Sequence, residues 1–236
     1  GRACGPLVSS YPLASVYQVR QEAPCDGTFL CYNPRMQIEI REYQQEDEAE
    51  WMRVHAIIMT LSHSWNYCIQ ERPTYEGYQI TRLVALHNGQ IIGLTDCLYE
   101  NEPGEVCHRH DSRGGYVSEF GRLPEYRGCN LGKRLIDATV EDAKAKGIRR
   151  LEYWSQDRKA QRYYQRLGMS EIGRHYRFRM KPTQALKDSL GEQRLGIEYV
   201  YGVCLPEEWP LVKEQYEIIH KHPLEPHLCI GYEIRF

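Results

Sequence analysis

The chain has 236 residues, a formal net charge of −2, and 42% hydrophobic against 26% charged residues. That balance supports a globular core of ordinary size, and the near-neutral charge gives no general attraction to nucleic acid or to a membrane surface. No apolar run approaches the roughly 20 residues a membrane span needs; nine scattered cysteines without a C-x-x-C pair, and no charged-then-apolar leader, read as reduced thiols of a cytoplasmic protein.

Residues 1–35 hold four prolines and no sustained periodicity, and are expected to form an appendage outside a domain that begins at Met36. MQIEIREY alternates apolar and polar from Met36 and reads as a strand with Ile38 and Ile40 on one face. EDEAEWMRVHAIIMTL follows as a helix, acidic at its start where the dipole favours negative charge, with Trp51, Val54, Ile58 and Leu61 in an apolar stripe. A less regular stretch from Ser62 to Gln79 leads into TRLVALHNGQIIGLTDCLYE, two strands turned at Asn88-Gly89, a pair suited to a two-residue hairpin.

Residues 101–115 form a polar loop in which Cys107, His108, His110 and Asp111 have zinc-ligand chemistry. No second Cys/His pair stands at a recognised spacing, and no metal site is assigned. GYVSEFGRLP is the next strand, stopped by Pro124. LGKRLIDATVEDAKAKG is a helix closed by Gly147, IRRLEYWS a strand, DRKAQRYYQRLG a helix capped by Asp157 and ended at Gly168, and MSEIGRHYRFRM a strand. Beyond a linker from about residue 181, IEYVYGVC, PEEWPLVKEQYEIIH and LCIGYEIRF read as strand, helix and strand. The interleaved arginines and tyrosines between Lys144 and Arg179 read as a solvated helix face rather than a nucleic-acid surface, because acidic residues elsewhere balance them.

The stretch from Leu123 to Leu135, LPEYRGCNLGKRL, carries the chemistry. A tight turn between strand and helix leaves several backbone N–H groups pointing out of the helix N-terminus, and the dipole adds partial positive charge. Glycines admit close approach, and Arg127, Lys133 and Arg134 add cations, so the segment reads as a pyrophosphate cradle. Gly128 and Gly132 are too close for a P-loop, and the G-x-G-x-x-G dinucleotide fingerprint is absent.

The element order, with Arg127-Gly128-Cys129-Asn130-Leu131-Gly132 in place of [QR]-x-x-G-x-[GA] and with Asp157, Ala160, Tyr164, Gly168 and Met169 downstream, resembles the Gcn5-related N-acetyltransferase (GNAT) superfamily over residues 36–181. The resemblance implies a mixed α/β fold with a central, mostly antiparallel, partly splayed sheet flanked by helices. It divides the chain into residues 1–35, an acetyltransferase domain at 36–182, and a C-terminal strand–helix–strand extension at 183–236. That extension has three uses open to it: the family's seventh strand, cover for the sheet, or a homodimer contact.

Three positions depart from the family pattern. Asn130 stands where the signature has glycine, and asparagine is the residue that next most readily takes left-handed backbone angles, so the turn is expected to survive. Asp157 replaces an asparagine and is expected to cap its helix. Met169 replaces a phenylalanine, a change of packing.

The donor implied is acetyl-CoA. Its pyrophosphate would lie on Arg127, Gly128, Cys129, Asn130, Leu131, Gly132 and Lys133, its pantetheine arm along the backbone of Phe120, Gly121, Arg122 and Leu123, with Asp157 nearby. In the implied reaction a neutral amine attacks the thioester and a thiolate leaves; Tyr164 is the matching position for the acid that protonates it, with Tyr163 expected to be the buried aromatic beside it. Glu119 is the candidate base, acting directly or through water. Aromatics between Ser62 and Gln79, including Trp65, Tyr67 and Tyr75, are candidates to line the acceptor side. The acceptor expected is a small-molecule amine, with neither nucleic acid nor membrane as partner. Two alternatives stay open: an acyl-CoA decarboxylase/S-acyltransferase on the same fold, and a non-catalytic acyl-CoA-binding module.

Overall fold

The computed structural model describes residues 36–62, 69–180, 200–220 and 226–236. The expectations for residues 1–35, and for Trp65 and Tyr67, lie outside the described residues. Eight strands form one sheet in the order β1-β2-β3-β4-β5-β8-β6-β7. They are β1 (Glu39–Glu42), β2 (Gln79–His87), β3 (Gln90–Tyr99), β4 (Gly115–Arg122), β5 (Arg150–Ser155), β6 (Ser170–Met180), β7 (Val200–Cys204) and β8 (His227–Arg235). Among the described residues four α-helices accompany them: α1 (Glu48–Leu61), α2 (Leu131–Ala145), α3 (Arg158–Arg166) and α4 (Trp209–His220). Among the described residues only the β4–β5 pair is parallel. The mixed, mostly antiparallel sheet expected from the sequence is the one observed.

Local chemistry explains the element ends. Asn88 and Gly89 take φ of 52° and 77°, the left-handed pair that a tight hairpin demands. Asp157 accepts hydrogen bonds from the Lys159 and Ala160 N–H groups at 2.6 and 3.0 Å and so starts α3. Pro210 sits in the first turn of α4, where its missing N–H costs no hydrogen bond.

The sheet is sandwiched. A Cβ on Gly121 would meet Ile58 of α1, whereas a Cβ on Gly93 would meet Leu131 and Leu135 of α2, so these helices cover opposite faces. Trp51, Val54, Leu94, Leu131 and Leu135 are fully buried in one cluster, and Leu151, Tyr153, Tyr164 and Tyr232 in a second centred on β5. β3 is buried without a break from Ile91 to Tyr99 because it is covered on both sides.

The C-terminal segment has the strand–helix–strand order read from the sequence, but its last strand is not appended at an edge. β8 runs between β5 and β6, pairing antiparallel with both.

At the end of the sheet where β4 begins, a buried charge network ties loop 101–114 down. Glu100 accepts N–H groups of Gly104, Val106, Cys107 and Gly114, and Glu152 those of His108 and Arg109. Arg150, wholly buried, binds Glu152 at 2.6 Å, Glu100 at 3.3 Å and the carbonyls of Arg109 and Ser112. Burial pushes the Glu100 carboxyl up, but its backbone hydrogen bonds outweigh that and hold it below the usual range. The loop's zinc-type side chains are spent otherwise: His108 packs edge-on against Trp154, Asp111 pairs with Arg235 at 2.8 Å, and burial raises the Cys107 thiol.

Replacing Arg150 by methionine leaves two buried carboxylates without their cation. Arg150→Met is expected to cost about 3–5 kcal/mol, read as a lower urea midpoint at unchanged slope.

Candidate active site

The site is built where β4 and β5 separate. Their parallel pairing covers only Gly115–Val117 against Leu151–Tyr153. On its other side β4 stays paired with β3 out to Arg122, through a register shift that sets Asp96 opposite Glu119 and Cys97 opposite Val117, leaving Ser118 as an extra residue. From Ser118 onward β4 therefore presents a backbone edge with no strand partner among the described residues. Phe120, Tyr153 and Tyr164, with ring centroids 5.2–6.2 Å apart, wedge the gap open.

A cleft of about 370 Å³ fills the gap. Ile58, Met59 and Leu61 of α1 line it on one side of the sheet, Tyr163 and Tyr164 of α3 on the other, with Phe120, Gly121 and Arg122 of β4 between. It thus passes through the sheet from one face to the other.

At one end the cleft meets the turn into α2. Gly128 has φ of 87° and Asn130 φ of 59° and ψ of 13°, so asparagine does take the left-handed conformation the turn requires. The first helical hydrogen bond runs from the Arg134 N–H to the Asn130 carbonyl. Among the described residues, no acceptor is bonded to the N–H groups of residues 128–133, the array an anion would use. A Cβ on Gly132 would fall 2.7 Å from Arg122 Nη1 and 2.8 Å from the Tyr163 hydroxyl, so only glycine lets these groups close over the helix end.

The cations are arranged differently from the sequence reading. Arg134 is turned away and donates to the Ile38 carbonyl at 2.7 Å, and Lys133 pairs with Asp137 at 2.7 Å on the exposed face of α2. Arg122 takes the place beside the cradle. No carboxylate pairs with it among the described residues; its guanidinium lies 5.4 Å from the Tyr163 ring centre, and burial lowers its pKa. Arg127, Lys159 and Arg166 line the mouth. An unpaired, half-buried guanidinium beside free N–H groups fits a phosphate.

The burial of the two tyrosines of α3 is the reverse of that expected. Tyr164 is the buried one, 4% exposed, packed among Phe120, Tyr153 and Tyr232, while Tyr163 is half-buried and faces the cradle. The reason is that α3 is anchored through Gln161, whose amide donates to the carbonyls of Ser155 and Leu228, and this turns Tyr164 inward. Tyr164 still lines the cleft, and burial raises its phenol well above the ordinary value, so it stays protonated at neutral pH.

Glu119 lies on the α1 face of β4, opposite to Phe120 and Arg122, and is not on the wall that carries Tyr164. Its Oε2 is 2.9 Å from Nε2 of His55, a residue the sequence reading did not single out. Asp96, Arg72, Arg82 and Tyr75 surround it. Asp96 is 1% exposed, and burial pushes its carboxyl up to about 6 against the opposing pull of Arg72 and Arg82, which stand 3.6 and 3.9 Å away. No motif spacing announces this cluster, because its members come from α1, the segment before β2, and three strands.

Comparison with known proteins agrees with this geometry. The family model described as the acetyltransferase (GNAT) family matches residues 36–169. N-alpha-acetyltransferase 30 of Schizosaccharomyces pombe is 26% identical over 125 residues, 52% of this chain and 75% of that protein. Among solved structures, a tandem GNAT protein from the clavulanic acid biosynthesis pathway superposes with a TM-score of 0.51 at 13% identity, covering 68% of this chain and 52% of that one. The PaiA N-acetyltransferase of Thermoplasma acidophilum, solved with coenzyme A, gives a TM-score of 0.46 at 18% identity, covering 58% of this chain and 92% of that one. With more than half its length matched by the family model, this chain belongs to the acetyltransferase (GNAT) family.

Proposed function

We propose that the chain is an N-acetyltransferase that moves an acetyl group from acetyl-CoA to a primary amine by direct attack. The observation that carries this is the continuous path formed by the unpaired edge of β4, the free N–H array of residues 128–133 and the phenol of Tyr164 at the parting of the strands.

Acetyl-CoA supplies an acetyl group activated as a thioester. The residues divide the remaining work. The N–H groups of residues 128–133, with Arg122 and Arg127, hold the pyrophosphate. The open backbone of Phe120–Leu123 accepts the pantetheine amides as an added strand. Tyr164 donates its hydroxyl proton to the departing sulfur; a phenol kept protonated by burial is suited to that task. Glu119, on the other face of β4, removes the proton from the incoming ammonium through water in the cleft. Acid and base then stand on opposite faces of one strand; Tyr164 lines the cleft, Glu119 does not, and water bridges the base to the amine. Asp157 caps α3 and so sets the angle at which Tyr164 enters.

The acceptor first expected is a small-molecule amine. A second reading, the α-amine of a polypeptide, is favoured by the likeness to the fission yeast N-alpha-acetyltransferase. Both need an uncharged primary amine delivered from the α1 side.

Thiol release from acetyl-CoA, measured against small amines and against peptides with free N-termini, tests the proposal and separates the two acceptor classes. Turnover with neither, under conditions where CoA binds, would overturn it. Tyr164→Phe is expected to lower kcat by roughly a hundredfold with CoA affinity within about twofold. Asn130→Gly is expected to leave CoA affinity unchanged, whereas Asn130→Val, whose β-branch resists the left-handed region, should weaken it about tenfold in calorimetric titration.

A further inference from the structure

His55 sits one helical turn after Trp51 on α1, and the two rings stack at 4.9 Å with planes 8° apart. Only 3% of His55 is exposed. Its Nε2 meets Glu119 Oε2 at 2.9 Å, a contact between residues 64 apart in the chain. An ionised carboxylate only accepts, so the proton of this hydrogen bond belongs to His55 Nε2. Among the described residues Glu119 Oε1 has no hydrogen-bond partner, which leaves one oxygen unengaged and the other fixed.

We infer that His55 is a positioning residue for the base Glu119: the stacked imidazole holds one carboxylate oxygen so that the other faces the acceptor amine or its bridging water. This rests on the reading of Glu119 as base given above. The geometry requires such a hold. Glu119 follows the extra residue Ser118, where β4 departs from regular pairing, and its cross-strand neighbour is the acidic Asp96. Left alone, the carboxylate would swing away from that like charge. The titratable and charged groups around Glu119 are His55 from α1, Arg72 and Tyr75 from the segment before β2, Arg82 from β2, Asp96 from β3 and Tyr116 from β4. Of these only His55 is hydrogen-bonded to it.

A double-mutant cycle tests the inference in the full chain, with CoA affinity and thermal midpoint as checks on folding. His55→Phe keeps the ring against Trp51 and removes the donor; His55→Gln keeps an N–H donor and removes the ring. The expected result for His55→Phe is a roughly tenfold loss of kcat at unchanged CoA affinity. His55→Gln should recover most of the loss, and in a Glu119→Gln background His55→Phe should add nothing further. Full additivity in that background, or equal losses for phenylalanine and glutamine, would overturn the inference while the base reading stands. Full activity of Glu119→Gln would instead overturn the base reading itself.

Discussion

Everything functional in this molecule depends on the failure of β4 and β5 to stay paired. Three residues of each strand are joined in parallel, and then the strands diverge. Parallel pairing is maintained only where side chains allow the backbones to remain about 5 Å apart. Past Val117 the extra residue in β4 and the aromatic wedge of Phe120, Tyr153 and Tyr164 remove that condition. The unpaired backbone edge, the passage through the sheet and the separation of Glu119 from Tyr164 are all consequences of this one interruption.

An interruption inside a sheet has to be held to a fixed extent. At the closed end, Arg150 of β5, Glu100 after β3 and Glu152 of β5 lock loop 101–114 against the point where β4 begins. On the far side, β8 pairs with β5 along its whole length, from Arg150 opposite Arg235 to Ser155 opposite Ile230. β5 is therefore clamped along one edge and paired on the other only over Leu151–Tyr153. Gln161 links α3 to both β5 and β8, so the helix that carries Tyr164 is anchored to the β5 side of the gap.

Much of this was legible in the sequence, and the reasons are local. Hairpin, caps and stops follow from backbone preferences of Asn88-Gly89, Asp157, Gly147 and Gly168, which hold wherever the segment is placed. The signature turn was legible for the same reason, including the tolerance of asparagine at position 130. What escaped the reading was everything set by distant partners. Arg134 looked like a cradle cation because it lies beside the turn, yet the carbonyl of Ile38, 96 residues away in sequence, captures it. Tyr164 rather than Tyr163 is the more buried because the rotation of α3 is fixed by Gln161, not by the tyrosines. His55 lies on an ordinary-looking helix, and nothing in its neighbours betrays a carboxylate 64 residues on.

The place of β8 has a consequence for how the chain reaches its fold. β5 and β6 follow each other closely in the sequence, but the strand that joins them is synthesised 47 residues after β6 ends. Until then the β5 edge is an open row of peptide groups, the kind of edge that pairs with the wrong chain. Closing the sheet is thus a late, long-range event, and long-range closure slows folding. A nascent chain that has finished the turn into α2 and both tyrosines of α3 still lacks the strand that holds their wall in place.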